Sequence, residues 1–287
     1  MTSHPSPSIF ARGVRANARR AELVKHVLIW SVLVCAFLPL YVMLATSFKS
    51  NHEFFINPWG LPAGIEWSNW LIGWRTVKDL LATTLVVAVT AVAGTLVVAL
   101  PGAYFFARTK APFRGVLWFL FMSLLMMPAV ASLLPLYALL KGMHLLNSIW
   151  TISLLITASA QVGTIFWLRG FVEEIPKDMF EAAEVDGASH FYQMTRITLP
   201  LCGPILATLA VTSFIGAWNE FMLPLILITD PWRQMLSVGL MQLDSQYVKQ
   251  YGQLMAAYTI ASIPLIVLFL FSMRLFVRGL MGGAVKG

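Results

Sequence analysis

Six stretches of this sequence are long and apolar enough to cross a lipid bilayer: residues 27–48, 80–107, 115–140, 145–168, 199–228 and 251–275. A helical crossing needs about 20 apolar residues at about 1.5 Å rise each. The charged side chains within these stretches are Glu220, in the fifth, and Arg274, at the end of the sixth. With 58% hydrophobic and 11% charged residues, against about 45–50% and about 25% in soluble domains, lipid must solvate much of the surface. The chain reads as an all-α integral membrane protein with one six-span domain over residues 26–280. A basic tail, 1–25, precedes it and a short tail, 281–287, follows. The first stretch is too long for a signal-peptide core and lacks a small-residue cleavage site, so it is expected to be a retained span.

Six spans place both termini on one side, and the bases choose which. With the N-terminus inside, the inner segments hold fourteen bases: Arg12, Arg15, Arg19, Arg20, Lys25, Arg108, Lys110, Arg114, Arg169, Lys177, Arg196, Arg274, Arg278 and Lys286. The outer segments hold six: Lys49, Arg75, Lys78, Lys141, Arg233 and Lys249. Both ends are therefore expected in the cytoplasm. This block distribution also removes the nucleic-acid reading of the +7 net charge. Trp59, Trp67, Trp70 and Trp74 fall in the first outer loop, where indole rings suit the headgroup layer. Pro101, Pro128 and Pro264 lie inside spans, as static kinks. Cys35 and Cys202 have no metal-ligand or redox spacing and read as small core residues.

One inner loop, 170–198, departs from the others. Counting its flanks, it carries Glu173, Glu174, Asp178, Glu181, Glu184 and Asp186 against Arg169, Lys177 and Arg196. Pro176 suits the start of a short helix through Phe180, Ala182, Ala183 and Val185, with the acids at its positive end. Gly187 fits a left-handed position that ends the helix. Asp186 or Ser189 is placed to cap a second short helix containing Phe191 and Tyr192. Such a helical turn either lies on lipid or receives another protein. The acids favour the second, because interfacial helices present Lys and Arg to anionic headgroups.

The order Glu181-Ala182-Ala183, Asp186-Gly187-Ala188, Ile197-Thr198-Leu199-Pro200 and Pro204 resembles the EAA loop of type I ABC importer permeases. Tyr104 to Arg108, Pro135-Leu136-Tyr137, Ala217 to Phe221 and the ending Gly283 to Gly287 resemble carbohydrate-uptake permeases, and within them the shorter, six-span permease of maltose-type importers. The resemblance implies a complex of this chain with a second homologous permease, as a heterodimer, two ATPase subunits and an extracytoplasmic solute-binding protein. ATP and Mg would be held by the ATPases, and no cofactor by this chain. It also implies that the EAA loop is an ATPase-coupling element. There Glu181 pairs with a base, Ala182 and Ala183 permit close seating, Gly187 makes the turn, and Asp186 and Ala188 flank it. The outer loop 230–249 would face the binding protein.

Trp218, Asn219 and Glu220 are candidates for lining the solute path, because a carboxylate in a span usually faces protein or water. A structural hydrogen bond between Glu220 and Asn219 accounts for them equally well. Arg274 and Arg278 share a helix face and read as membrane anchors. No Gly-Lys dipeptide occurs, which excludes a Walker A phosphate loop, and no His-Glu-x-x-His metal pattern is present. The expected function is the permease half-path for a sugar or sugar-like solute. An ion-coupled secondary carrier is the rival, but it would need more intramembrane acids or ion-binding breaks than one acid near an interface. An intramembrane enzyme lacks paired catalytic groups.

Overall fold

The computed structural model describes residues 7–244 and 250–284, with side chains for 22–128, 131–244 and 250–273. Tyr247, Lys249, Lys286 and the end of the Gly283 to Gly287 tail lie outside the described residues. Arg12, Arg15, Arg19, Arg20, Arg274 and Arg278 lie outside the described side chains. Among the described residues there is no strand. The helices in order are α1 (Pro7–Ser47), α2 (Asn51–Ile56), α3 (Ser68–Arg108), α4 (Arg114–Ser123), α5 (Ala129–Gly142), α6 (Ile149–Glu174) and α7 (Lys177–Val185). They continue as α8 (His190–Gln193), α9 (Leu199–Leu201), α10 (Gly203–Trp218), α11 (Met222–Leu227), α12 (Leu236–Asp244) and α13 (Tyr251–Ala284).

Among the described residues, four helices qualify as crossings by length and composition: Glu22–Ser47 within α1, α3, α6, and Tyr251–Met273 within α13. Two bent pairs, Arg114–Met126 with Ala131–Gly142 and His190–Leu201 with Gly203–Trp218, raise the number to six if each pair crosses once. The helices differ from the apolar stretches in instructive ways. Arg- and Ala-rich residues 11–22 have high helix propensity, and α1 starts at Pro7 rather than near residue 27. At 41 residues, α3 begins at Ser68 and carries Trp70 and Trp74, which were expected in a loop.

The third stretch is bent by 102°. Pro128 brings no N–H and pushes Met127 into extended backbone (φ −79°, ψ 123°), so the helix stops where a kink was expected. Pro101 and Pro264 do lie inside continuous helices. The fifth stretch turns by 77° near Cys202 and breaks again between Trp218 and Met222. Hydropathy does not disclose the turn near Cys202, whereas Asn219 and Glu220 mark the second break. Cys202 is buried, but Cys35 is exposed on α1, so only one of the two is a core residue within this chain.

The chain forms two compact units. In the first, residues up to Ile72 with Gln250–Thr259, Phe48 stacks on Trp70 with ring centroids 5.2 Å apart. Lys49 is fully buried there, and its ammonium donates to the carbonyls of Asn57 at 2.7 Å and Pro58 at 3.3 Å. Asn69 adds bonds to the carbonyls of Ser47 and Lys49, fixing the end of α1.

The second unit comprises Gly73–Lys249 and Ile260–Gly287. Here α3 and α6 pack through small residues, including Ala88, Ala91, Ala99 and Ala103. Such residues let backbones approach where no hydrophobic force drives helices together in lipid. A side chain at Gly102 would begin 2.7 Å from Ile165 Cδ1, so only glycine fits without a shift. Thr157 Oγ1 donates to the Ala91 carbonyl and Gln161 Nε2 to the Thr95 carbonyl, adding polar ties across the same contact. Further along, Asn147 takes a positive φ of 59°, and its side-chain oxygen accepts from Thr229 and Asp230.

Candidate functional site

The turn between α6 and α10 is built by local chemistry. Pro176 stands immediately before α7 with φ −53°, and Asp178 lies in the first turn. Phe180 is the residue of α7 that is buried, while Asp178, Glu181, Ala182, Glu184 and Val185 face outward and Ala183 is half-buried. The helix closes in a Schellman motif around Gly187, whose φ is +77°. There the Gly187 amide donates to the Glu184 carbonyl at 3.0 Å and the Ala188 amide to the Ala183 carbonyl at 2.8 Å. Ser189 then caps α8, its hydroxyl accepting from the Tyr192 amide at 3.3 Å. A π-helical turn, Met194–Thr198, leads on to α9.

Three expectations for this segment change. Asp186 is the C-cap of α7, so the cap of the second helix is Ser189. Residues 170–174 belong to α6 rather than to the loop. Glu173 and Glu174 therefore sit at the negative end of α6, not at the positive end of α7. Glu173 is held there by Arg169, four residues back, with Arg169 Nε and a terminal nitrogen each 2.8 Å from its Oε1. Arg169 in turn lies over the Trp118 ring at 4.0 Å.

The outward face of the turn remains acidic after this change. Asp178, Glu181, Glu184 and Asp186 are exposed against Lys177 and Arg196, and Glu181 stands outside the ion pairs of the described residues. Beside the acids, Val185 is 87% exposed and Phe191 71% exposed. Exposed apolar groups among carboxylates suit a protein surface with bases around apolar pockets better than anionic lipid.

The inner side of the turn is held by two residues that entered the sequence reading only through the family resemblance and, for Arg108, as one of the inner bases. Tyr104, buried in α3, donates from its hydroxyl to Gln193 Oε1 at 2.8 Å and lies 3.1 Å from His190 Nδ1. Arg108, one turn on, donates to the carbonyls of Val172 and Ile175 and places its guanidinium 4.3 Å from the centre of the Phe180 ring. Their four-residue spacing at the end of an apolar stretch was the available signal. A cavity of about 480 Å³ opens beside them, lined by Arg108, Lys110, Glu184, Gly187, Ala188, Ser189, His190 and Gln193.

Trp218, Asn219 and Glu220 are not brought into this turn. Trp218 is buried and stacks on Phe214 at 5.6 Å. Asn219 is exposed and donates from its side chain to the Ile215 carbonyl. Glu220 does not bond Asn219. It accepts from the Leu223 amide in the first turn of α11 at 3.1 Å, and its own carbonyl accepts from Ser237 at 2.6 Å.

This helical architecture is that of a membrane permease. It superposes on a chain from the crystal structure of a bacterial ABC transporter involved in the import of the acidic polysaccharide alginate with a TM-score of 0.81. The match covers 95% of this chain and 99% of the other at 22% identity. Residues 99–282 match the family described as binding-protein-dependent transport system inner membrane component, and the chain belongs to that family of multi-pass inner-membrane transport proteins. It is 31% identical over 279 residues to the probable ABC transporter permease protein YurM of Bacillus subtilis, covering 96% of this chain and 93% of the relative. It is also 33% identical over 258 residues to the diacetylchitobiose uptake system permease protein DasC of Streptomyces coelicolor, covering 87% and 91%.

Proposed function

We propose that this chain forms half of the translocation path of an ABC importer for a sugar or sugar-like solute, and that the turn from α7 to α8 seats on a separate ATPase. The observation that carries the reading is the outward face of that turn: a Schellman corner at Gly187 presents Glu181 and its neighbouring carboxylates beside exposed Val185 and Phe191. Glu181 would meet a base of the ATPase, and Ala182 and Ala183 would admit close approach. Asp186 and Ala188 would hold the corner on either side of Gly187. The remaining members of the complex are a second homologous permease, another ATPase and an extracytoplasmic binding protein, with ATP and Mg bound by the ATPases. The carbohydrate names of similar proteins support the solute class, and the excess of bases in the inner segments supports cytoplasmic termini. Asn219 and Glu220, at the break after α10, are the candidates for contact with solute. The packing of Trp218 makes it a support behind them.

The test is uptake in proteoliposomes holding this chain, the second permease, the ATPases and a liganded binding protein. Uptake should require internal ATP and persist when ionophores collapse ion gradients. Uptake abolished by ionophores with ATP present would instead establish an ion-coupled carrier.

A further inference from the structure

At the inner end of α3, Tyr104 and Arg108 lie four residues apart on one helix face and between them hold three other segments. Tyr104 reaches α8 through Gln193 and His190. Gln193 passes the contact to the corner itself, its Nε2 donating to the Ala188 carbonyl at 3.2 Å. Arg108 reaches the last carbonyls of α6 and the residue that follows them, Val172 and Ile175. A cation is favoured there by the negative end of the helix dipole. The same guanidinium lies over Phe180, the buried residue of α7.

The covalent connections of α7 are weak levers by comparison. It is joined to α6 through Ile175 and Pro176 alone, and to α8 through Asp186, Gly187, Ala188 and Ser189. Both junctions leave helical backbone, so a push on α7 could be absorbed there by dihedral change. The contacts of Tyr104 and Arg108 bypass both junctions.

We infer that Tyr104 and Arg108 are positioning residues that make the turn and the inner end of α3 move as one body, so that displacement of the turn by the ATPase reaches the spans. The inference rests on the reading that the turn seats on an ATPase. Both residues lie on the inner side of the turn, away from its outward face and from the break after α10, so their loss should uncouple hydrolysis from transport rather than abolish either reaction.

The experiment uses the reconstituted complex with Tyr104→Phe, which keeps the ring and removes the hydroxyl, and with Arg108→Lys and Arg108→Gln. ATPase co-purification, hydrolysis stimulated by liganded binding protein, and solute uptake are measured on each. Tyr104→Phe and Arg108→Gln should keep their ATPase and hydrolyse ATP, while solute moved per ATP falls by about threefold or more, within the range of coupling changes produced by residues that touch neither ligand. Arg108→Lys should recover part of the ratio, because an ammonium can still donate to the α6 carbonyls. A purely structural role would lower hydrolysis and uptake together, in proportion to complex recovered, and that result overturns the inference. So does an unchanged ratio in all three variants. Glu181→Lys serves as the control: if it leaves ATPase binding intact, the docking reading fails first, and the inference with it.

Discussion

The amide of Ala188 reaches back 2.8 Å to the carbonyl of Ala183, across Gly187. This bond ties the last turn of α7 to the linker that leads to α8 and exists because the chain reverses at a positive φ of 77°. A Cβ at Gly187 would meet nothing within 4 Å. The requirement for glycine is therefore conformational and not a matter of space.

It follows that tolerance at position 187 should track left-handed propensity rather than size. Gly187→Asn should retain most ATPase binding, Gly187→Ala should lose about 1–2 kcal/mol of turn stability, and Gly187→Val should lose more because its Cβ is branched. Co-purification of the ATPase with each variant should fall in that order. Equal loss for Asn and Val would point to crowding by the partner instead.

Glu181 is exposed and outside the ion pairs of the described residues. Glu181→Lys should therefore change the stability of the chain by no more than about 0.5 kcal/mol. At a partly desolvated contact, however, it should weaken ATPase binding by about 2–5 kcal/mol. Membrane levels unchanged beside a loss of ATPase capture would bear this out, and reversing the matching base of the ATPase should restore part of it.

Lys49 offers a test in the first unit. Its buried ammonium satisfies two carbonyls, those of Asn57 and Pro58. Lys49→Met keeps the stem and strands both acceptors, at about 1–3 kcal/mol each. Chymotrypsin should then cut the variant faster at Phe54, Phe55 and Trp59 than the parent. An unchanged cleavage rate would show that water can replace the ammonium.

Orientation can be read by thiol labelling after Cys35 and Cys202 are replaced. Trp232→Cys lies in an expected outer loop, and Trp232 is 82% exposed. It should react with an impermeant reagent in intact cells. Ser189→Cys should react only after permeabilisation, and the opposite pattern would invert the topology.

What the sequence disclosed depended on the range of the interaction. The Gly187 corner was legible because a Schellman motif is decided within six residues, and the two helices around it followed from Pro176, the alanines and Ser189. Glu173 was misplaced because its partner Arg169 extends α6 past the apolar stretch that seemed to end it. The hold of Arg108 on Val172 spans 64 positions, and its four-residue spacing from Tyr104 marks a shared helix face without showing what that face holds. The break at Met127 was hidden because its side chains are as apolar as those of the helices it interrupts, whereas the break after Trp218 falls on Asn219 and Glu220, which read as path-lining or hydrogen-bonding residues and not as a helix end.

The break at Met127 and Pro128 carries a consequence for what surrounds the chain. It falls in the middle of an apolar stretch, where peptide groups released from helical bonding have no partner in hydrocarbon, and each would cost several kcal/mol facing acyl tails. Met126 and Met127 are largely exposed beside it. Such a surface suits a neighbouring chain or water better than lipid.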